Sequence, residues 1–474
     1  MSKNEKEVHV VMLPWLAFGH LIPYLDLSIA LAKHGIHVSF LSTSRNIQRL
    51  PKIPLDLSPF IDFVPFSLPK LDSNPLPENA EATIDIPAEQ MGRLKKACDH
   101  LQQPIKNFLA NKLPNWLIVD FFPHWAVDIA QELKIPIITN SITTASTAVF
   151  FWTPELLEDP RQAAAGRSPR DLIFPPKWVD FPSKVACRDH ETDMMHNVLY
   201  GVDETGFSGG ARFAKLVNGS RALTVRTSPL FEGEYSKLLS EVTQRPVFPL
   251  GFLPPEKLSG TRRIKDEQPW SKILDWLDGR KPGSVVFVSF GSEHKLKKEE
   301  ILEIAHGLEL SGLSFLWALR EPNLDEALPL GFAQRTVGRG VVQSGWSPQR
   351  EILGHPSIGG SLFHAGWASI IETAIYGHSL VLLPFVIAQP LDTRLLVEKG
   401  LAVEVERGKD GIFTRDGIAS ALRKAMVSGE GERLRARAKE AAEGIFGNRK
   451  INDDCIGKFV DYLKSGAEEK ELVF

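Results

Sequence analysis

The feature that most constrains this chain is a pattern that runs, stops and starts again. In the first half, VHVVMLPW (8–15) is a continuous apolar run, followed by a Gly-His turn, a helical pattern through Leu31, and HVSFLST (37–43). A strand–helix–strand opening of this kind predicts a parallel sheet with right-handed crossovers. WLIVDFF (116–122), IPIITN (135–140), ALTVRTS (222–228) and PVFPLG (246–251) extend the strand series. The Pro- and Asp-rich stretch 50–89 predicts an irregular loop, and 153–200 an excursion over a cleft. Residues 253–269, LPPEKLSGTRRIKDEQP, are polar and carry helix breakers, which reads as a linker. Beyond it the alternation resumes with SVVFVSFGS (284–292), FLWALR (315–320), GVVQSGW (340–346), IGGSLF (358–363) and LVLLPF (380–385). Two such series predict an α/β chain of two doubly wound domains facing each other, 1–252 and 270–450, with a helical segment 451–474 crossing back onto the first.

Ligands of doubly wound sheets lie beyond the carboxyl ends of the strands. The residues at those ends are His20, Asp120, Gly291 with Ser292, Trp346 and His364, and they are expected to converge on one interdomain cleft. The bulk numbers remove several other classes. A net charge of -3 gives no reason to expect nucleic acid, and the basic run Arg433 to Lys439 alternates as a solvated helix face does. Three widely spaced cysteines suit a reducing compartment, and no Cys/His cluster suggests zinc. The start of the chain is charged and leads directly into a strand, and no uninterrupted apolar run reaches membrane-spanning length. A soluble, cytoplasmic protein is expected.

The stretch 346–389, WSPQREILGHPSIGGSLFHAGWASIIETAIYGHSLVLLPFVIAQ, carries most of the chemistry. An apolar strand ending at Phe363 breaks into a turn and a helix, placing His364 and Gly366 at the helix start and Ser369 and Glu372 one turn in. Unpaired N–H groups at such a start favour a phosphate. His364 and Ser369 can donate to phosphate oxygens. The Glu372 carboxylate can accept from a pair of sugar hydroxyls, and Trp346 can offer a flat face to a base. The glycine fingerprint of dinucleotide sites, the Walker pattern and a DxD are all absent. Asp189-His190-Glu191-Thr192-Asp193 is expected to be a solvated acidic loop rather than a metal site. Across the chain, His20 suits a general base and Asp120 a partner that fixes its tautomer. With no GxSxG nucleophile, that base would act on a substrate hydroxyl.

The 346–389 stretch resembles the signature box of plant UDP-sugar-dependent glycosyltransferases, roughly WxPQxxIL…H…GxFxxHCGWNSxxE…G…P…DQ. The GH after the first strand, VDFFPHW, SFGS and the final helix extend the resemblance over the chain. It implies the GT-B fold of two Rossmann-like domains and an inverting, metal-independent transfer without a cofactor, the UDP-sugar being a co-substrate. It further implies that Trp346 stacks on uracil, Gln349 contacts its edge or the ribose, and Glu372 holds the ribose hydroxyls. His364, Ser369 and Ser292 would hold the diphosphate, and Gln389, with the backbone near Trp367, the donor sugar. His20 would deprotonate the acceptor, with Asp120 as its partner. VDFFPHWA and LPFVIAQPLDTRLLVEKGLAVEVE are similar to the branch-forming subgroup that adds a sugar to terpenoid or flavonoid glycosides. Trp15, Phe18, Phe121, Phe122 and His124 would then lie near the acceptor.

Three positions depart from the family pattern: Ala365 for Cys, Ala368 for the Asn of GWNS, and Ala388 for the Asp of DQ. The first is a packing change. The second removes an amide from the diphosphate, and the third a carboxylate from the sugar. Three readings follow: a hexosyltransferase, glucose first, acting on a glycoside or on an aglycone; a UDP-sugar-binding variant with weak or altered donor activity; and a nicotinamide-dependent oxidoreductase, disfavoured by the missing glycine fingerprint.

Overall fold

The computed structural model describes residues 7–71, 75–255, 270–291 and 294–472. Ser292 and most of the expected linker, 256–269, lie outside the described residues. The chain divides into two compact units: Met1–Leu172, Asp193–Leu253 and Arg449–Phe474 form one, and Ile173–Thr192 with Pro254–Asn448 form the other.

The first unit holds β1 (His9–Leu13), β2 (His37–Thr43), β3 (Ile61–Phe66), β4 (Trp116–Val119), β5 (Ile137–Ser141), β6 (Ala222–Val225) and β7 (Val247–Pro249). Their order across the sheet is β3-β2-β1-β4-β5-β6-β7, every pair parallel. Parallel strands need helical crossovers, and the helices cover both faces. The near-continuous burial of β1, β2, β4 and β6 follows from this. The order reverses between β1 and β4, which makes their carboxyl ends the ligand position of the sheet. The final helix, Arg449–Leu472, packs Phe459 and Leu463 into the core with Val10, Met12 and Trp116. Trp116 Nε1 donates to the Leu463 carbonyl at 2.9 Å, and Phe252 N donates to Asn452 Oδ1 at 2.6 Å.

The second unit repeats the design with β8 (Val285–Ser289), β9 (Ser314–Leu319), β10 (Gly340–Ser344), β11 (Ile358–Phe363), β12 (Ser379–Leu382) and β13 (Ala402–Glu404), in the order β10-β9-β8-β11-β12-β13. Here the reversal lies between β8 and β11, again a parallel pair.

Two expectations are corrected. The stretch read as an irregular loop contains β3, an edge strand with Pro65 inside it. Proline is tolerated at an edge, where a missing N–H costs no ladder bond, and this is also what hid the strand. The acidic cluster at 189–193 is solvated only in part: Asp189 and Asp193 are exposed, but Glu191 is buried, with both carboxylate oxygens on Arg394 Nη2 at 2.7 and 2.9 Å. Its partner lies far along the sequence, beyond the reach of any spacing rule. Among the described residues no group of three or more His, Cys, Asp or Glu is placed to hold a metal ion, and no helix is long and apolar enough to cross a membrane.

Candidate active site

In the first unit the site grows from the β1–β4 reversal. Leu13 pairs with Val119, so Asp120 is the first residue past the sheet on one strand, and Trp15 is two past it on the other. Asp120 is 2% exposed and accepts three hydrogen bonds. Trp15 N gives one to Oδ2 at 2.9 Å, Phe121 N one to Oδ1 at 2.7 Å, and His20 Nδ1 one to Oδ2 at 2.7 Å. His20 lies in the first turn of the Phe18–Ala32 helix and is 22% exposed. With Nδ1–H given to the carboxylate, Nε2 carries the lone pair and is the nitrogen able to take a proton. The dyad expected from the sequence is therefore assembled. One turn on, Tyr24 is fully buried, and burial together with the Asp120 charge raises its pKa well above the ordinary value, so it stays neutral.

The aromatic residues expected at the acceptor divide into two sets. Phe121 is half-buried with its ring centroid 5.2 Å from that of His20, and Phe18 is half-buried beneath the Arg49 guanidinium at 4.9 Å. Trp15 and Phe122 are buried in a cluster with Leu94 and Cys98, their centroids 4.5 Å apart. His124 turns into the fold: Arg212 Nη1 donates to its Nδ1 at 2.6 Å. Burial, then the Arg212 charge, lowers its pKa to about 4. Sequence reading missed Phe213, half-buried and 5.9 Å from Phe121, with Phe151 and Trp152 at 5.9 and 6.2 Å behind it. Phe151 and Trp152 end one helix and Phe213 lies on another some sixty residues on, so no local spacing announces the cluster.

In the second unit the site grows from the β8–β11 reversal. β11 ends at Phe363, Ala365 takes a left-handed φ of 67°, and Gly366 caps the helix Trp367–Ala374 without a side-chain bond. The His364 ring is enclosed by two glycines. A Cβ on Gly291, which has φ of 69°, would lie 2.5 Å from its Cε1, and one on Gly366 would lie 2.8 Å from its Nε2. His364 is buried, its Nδ1 has no partner among the described residues, and burial followed by the nearby His294 lowers its pKa to about 4. It is a neutral imidazole in the folded chain at neutral pH. Trp367 is buried as the first helical residue, while Ala368 and Ser369 are half-buried at the next positions.

Trp346 follows β10 and Gly345, whose φ is 88°, and its side chain is 70% exposed. A large aromatic held at a strand end and left open is what base stacking requires. Gln349 Nε2 donates to Glu372 Oε2 at 2.8 Å and makes a long contact of 3.4 Å with Ser369 Oγ. Arg350 Nε, which the sequence reading did not single out, donates to Glu372 Oε1 at 3.1 Å. Gln349, Arg350, Ser369 and Glu372 thus belong to one neighbourhood, and Trp346 lies three residues before Gln349 in the same turn. Further along the chain, Gln389 opens the helix Gln389–Glu398 and its Oε1 accepts from Phe385 N and Val386 N at 2.9 and 3.1 Å. The amide oxygen is spent on the turn, and Ala388 beside it offers no acceptor.

The comparisons with known proteins bear on the family and the fold. A family model described as "Glycosyltransferase, N-terminal domain" matches residues 6–199, and one described as "UDP-glucoronosyl and UDP-glucosyl transferase" matches 231–431. UDP-glycosyltransferase 91C1 of Arabidopsis thaliana is 40% identical over 98% of both chains. The chain belongs to the plant UDP-glycosyltransferase family. The soyasaponin III rhamnosyltransferase of Glycine max is 40% identical to this family member, over 98% of this chain and 97% of its own. Among solved structures, a Glycyrrhiza uralensis glycosyltransferase complexed with glycyrrhetinic acid 3-O-monoglucuronide superposes with a TM-score of 0.79 at 22% identity, covering 98% of this chain and 97% of its own. A Siraitia grosvenorii transferase in complex with UDP gives 0.74 at 25%, covering 96% and 100%. The GT-B fold expected from the sequence is therefore established, and with it two Rossmann-like domains. The enzyme's activity, at the level the family carries, is UDP-sugar-dependent glycosyl transfer to a small-molecule acceptor.

Proposed function

We propose that the enzyme transfers a hexose from its UDP-sugar, glucose being the first choice, to a sugar hydroxyl of a terpenoid or flavonoid glycoside, with inversion and without a metal. The observation that carries the reading is the His20–Asp120 pair. The acceptor O–H gives its proton to His20 Nε2 as its oxygen attacks the anomeric carbon in line. The bond from that carbon to the UDP oxygen breaks, and Asp120 stabilises the imidazolium. Charge developing on the diphosphate is met by the start of the Trp367–Ala374 helix and by His364. Trp346 takes the uracil face, Gln349 and Glu372 the uracil edge and ribose, Ser369 and Ser292 the phosphates, and Gln389 the sugar. A glycoside acceptor is supported by relatives named soyasaponin III rhamnosyltransferase and mogroside IIIx synthase. The free cysteines are in keeping with a cytoplasmic location.

A mass-spectrometric screen of UDP-sugars against matched glycosides and aglycones tests this. Glycosides should gain one hexose, and His20→Ala should abolish the product while leaving UDP affinity nearly intact. Wild-type turnover in His20→Ala would remove the dyad from the mechanism, and products from aglycones alone would move the acceptor to the unglycosylated class.

A second reading, weak or altered donor use, is favoured by the same turn that holds Gln389. With its Oε1 committed to the backbone and Ala388 without a carboxylate, the donor sugar meets few acceptors. A charged hydrogen bond is worth about 1.5–3 kcal/mol, or roughly 10–100-fold. Ala388→Asp should therefore raise turnover with UDP-glucose at least tenfold, and unchanged turnover would discard this reading.

A further inference from the structure

The loop that leaves β4 carries the aspartate of the dyad and two of the expected acceptor aromatics, and it is gripped by a buried cation that the mechanism does not use. Arg212, 1% exposed, lies on the helix Gly209–Gly219. Its Nη1 donates to the Phe122 carbonyl at 3.1 Å and to His124 Nδ1 at 2.6 Å. Its guanidinium carbon stands 4.3 Å from the centroid of the Phe122 ring and 5.4 Å from that of Phe207. Nη2 donates to Thr205 Oγ1 and meets Asp99 Oδ2 at 3.5 Å, while Asp99 Oδ1 accepts from Trp125 Nε1 at 3.0 Å. One guanidinium thus holds Phe122 and His124 directly and Trp125 through Asp99. The carboxylate stands farther from it than the two acceptors of the loop do. A planar fork of donors out of water fixes the groups that accept from it.

What it fixes adjoins the catalytic pair. Phe121 lies between Asp120 and Phe122, and its N–H donates to Asp120 Oδ1 at 2.7 Å. The Phe121 ring is 5.2 Å from that of His20 and 5.9 Å from that of Phe213, the residue next to Arg212 on the same helix. Consecutive residues of one helix therefore bear on consecutive residues of the loop, Phe213 on Phe121 and Arg212 on Phe122. Asp120 has two further anchors, Trp15 N and His20 Nδ1, that do not pass through Arg212.

We propose that Arg212 is a positioning residue for the acceptor: by holding Phe122 and His124 it sets the place of the Phe121 ring beside His20, the wall against which the acceptor rests. The assignment rests on reading this neighbourhood as the acceptor site. A misplacement of about 1 Å can cost on the order of 10²-fold in rate. Because the wall meets the acceptor before and during reaction, and Asp120 keeps its other anchors, the loss falls on the acceptor KM rather than on kcat.

The test is steady-state kinetics with a flavonol 3-O-glucoside and with its aglycone, alongside calorimetric UDP titration, whose stoichiometry gives the folded fraction. Arg212→Met should raise the acceptor KM at least tenfold. Its kcat per folded enzyme should stay within threefold, and its UDP affinity within twofold, since the Trp346–Glu372 residues belong to the other unit. Arg212→Lys keeps the charge and one donor but not the fork, and its KM should fall between. Phe122→Leu should cost less in the Arg212→Met background than in the wild type, and additive effects would show that Arg212 does not act through the loop. A merely structural Arg212 would lower the melting temperature and the folded fraction and leave the acceptor KM unchanged. That result, an equal loss of UDP affinity, or failure of both Arg212 variants to fold overturns the proposal. A wild-type enzyme that glycosylates neither compound would instead overturn the acceptor reading beneath it.

Discussion

At the residue scale, His20 owes its orientation to one carboxylate with three donors on it. Replacing Asp120 by Asn keeps the size but exchanges a charge for an amide. The amide oxygen can still accept from Nδ1–H, yet it cannot stabilise the imidazolium, and its NH2 faces the Trp15 or Phe121 N–H. Asp120→Asn is therefore expected to lower kcat by on the order of 10²–10⁴, the range for a disabled general base, with UDP affinity unchanged. Steady-state kinetics with calorimetric UDP titration checks this, and a kcat within fivefold of wild type would contradict it. The pair was legible in the sequence because Asp120 falls just past a strand and His20 opens the helix that follows another, and strand ends can be read from apolar runs. The fate of His124 was not. It sits in the same segment as Phe121, but its partner Arg212 lies on a helix far along the chain, and a buried guanidinium recruits whatever acceptor the packing provides. Phe121 and Phe122 likewise read alike in sequence and part company only when the loop after β4 chooses which ring faces inward.

At the element scale, long buried strands were visible and short edge strands were not. β13 has three residues and β3 carries a proline, so neither offers the run of apolar side chains by which a strand is recognised. The excursion at 153–200 hid more. Its middle, Ile173–Thr192, belongs to the second unit, fastened by Glu191 on Arg394 and by Arg188 on Glu404 at 2.6 Å. Arg394 lies one turn into the helix that Gln389 opens and also donates to Glu404 at 2.7 Å. Removing Glu191 leaves a buried guanidinium half-paired. Broken buried pairs cost about 3–5 kcal/mol, and with Glu404 still in place the low end, about 3 kcal/mol, is expected for Glu191→Ala. Urea unfolding should show the lower midpoint, and Glu191→Gln should lose less because it keeps one acceptor. A midpoint unmoved by Glu191→Ala would mean the strap contributes nothing to the second unit.

For the molecule as a whole, the two-series pattern made the two Rossmann-like units legible, and the box at 346–389 named residues, Gln349, Ser369 and Glu372, that the fold brings into contact. What the sequence could not carry was protonation, because it depends on burial. His378 follows Gly377 in the turn before β12, stacks on Tyr376 with centroids 5.7 Å apart, and has its Nδ1 buried without a partner among the described residues. Burial lowers its pKa from the ordinary 6.5 to about 4. In the folded chain it is neutral at pH 5, whereas in the unfolded chain it is mostly protonated. The unfolded state thus binds more protons between those two values, and stability falls as pH falls through that window, levelling off near the folded pKa. At 1.36 kcal/mol per pKa unit the full effect is about 3 kcal/mol. His364 and His124, lowered in the same way, add the same sign. Buried Glu232 and Glu404, whose pKa values burial raises, oppose it by favouring the folded state in acid. A pH curve of the wild type mixes all of these, so the decisive measurement is a difference. His378→Gln cannot titrate, and its stability relative to wild type should improve steadily from pH 7 to pH 4.5, at a slope approaching one proton. Parallel curves would mean that His378 is protonated alike in both states, and that its burial does not govern its charge.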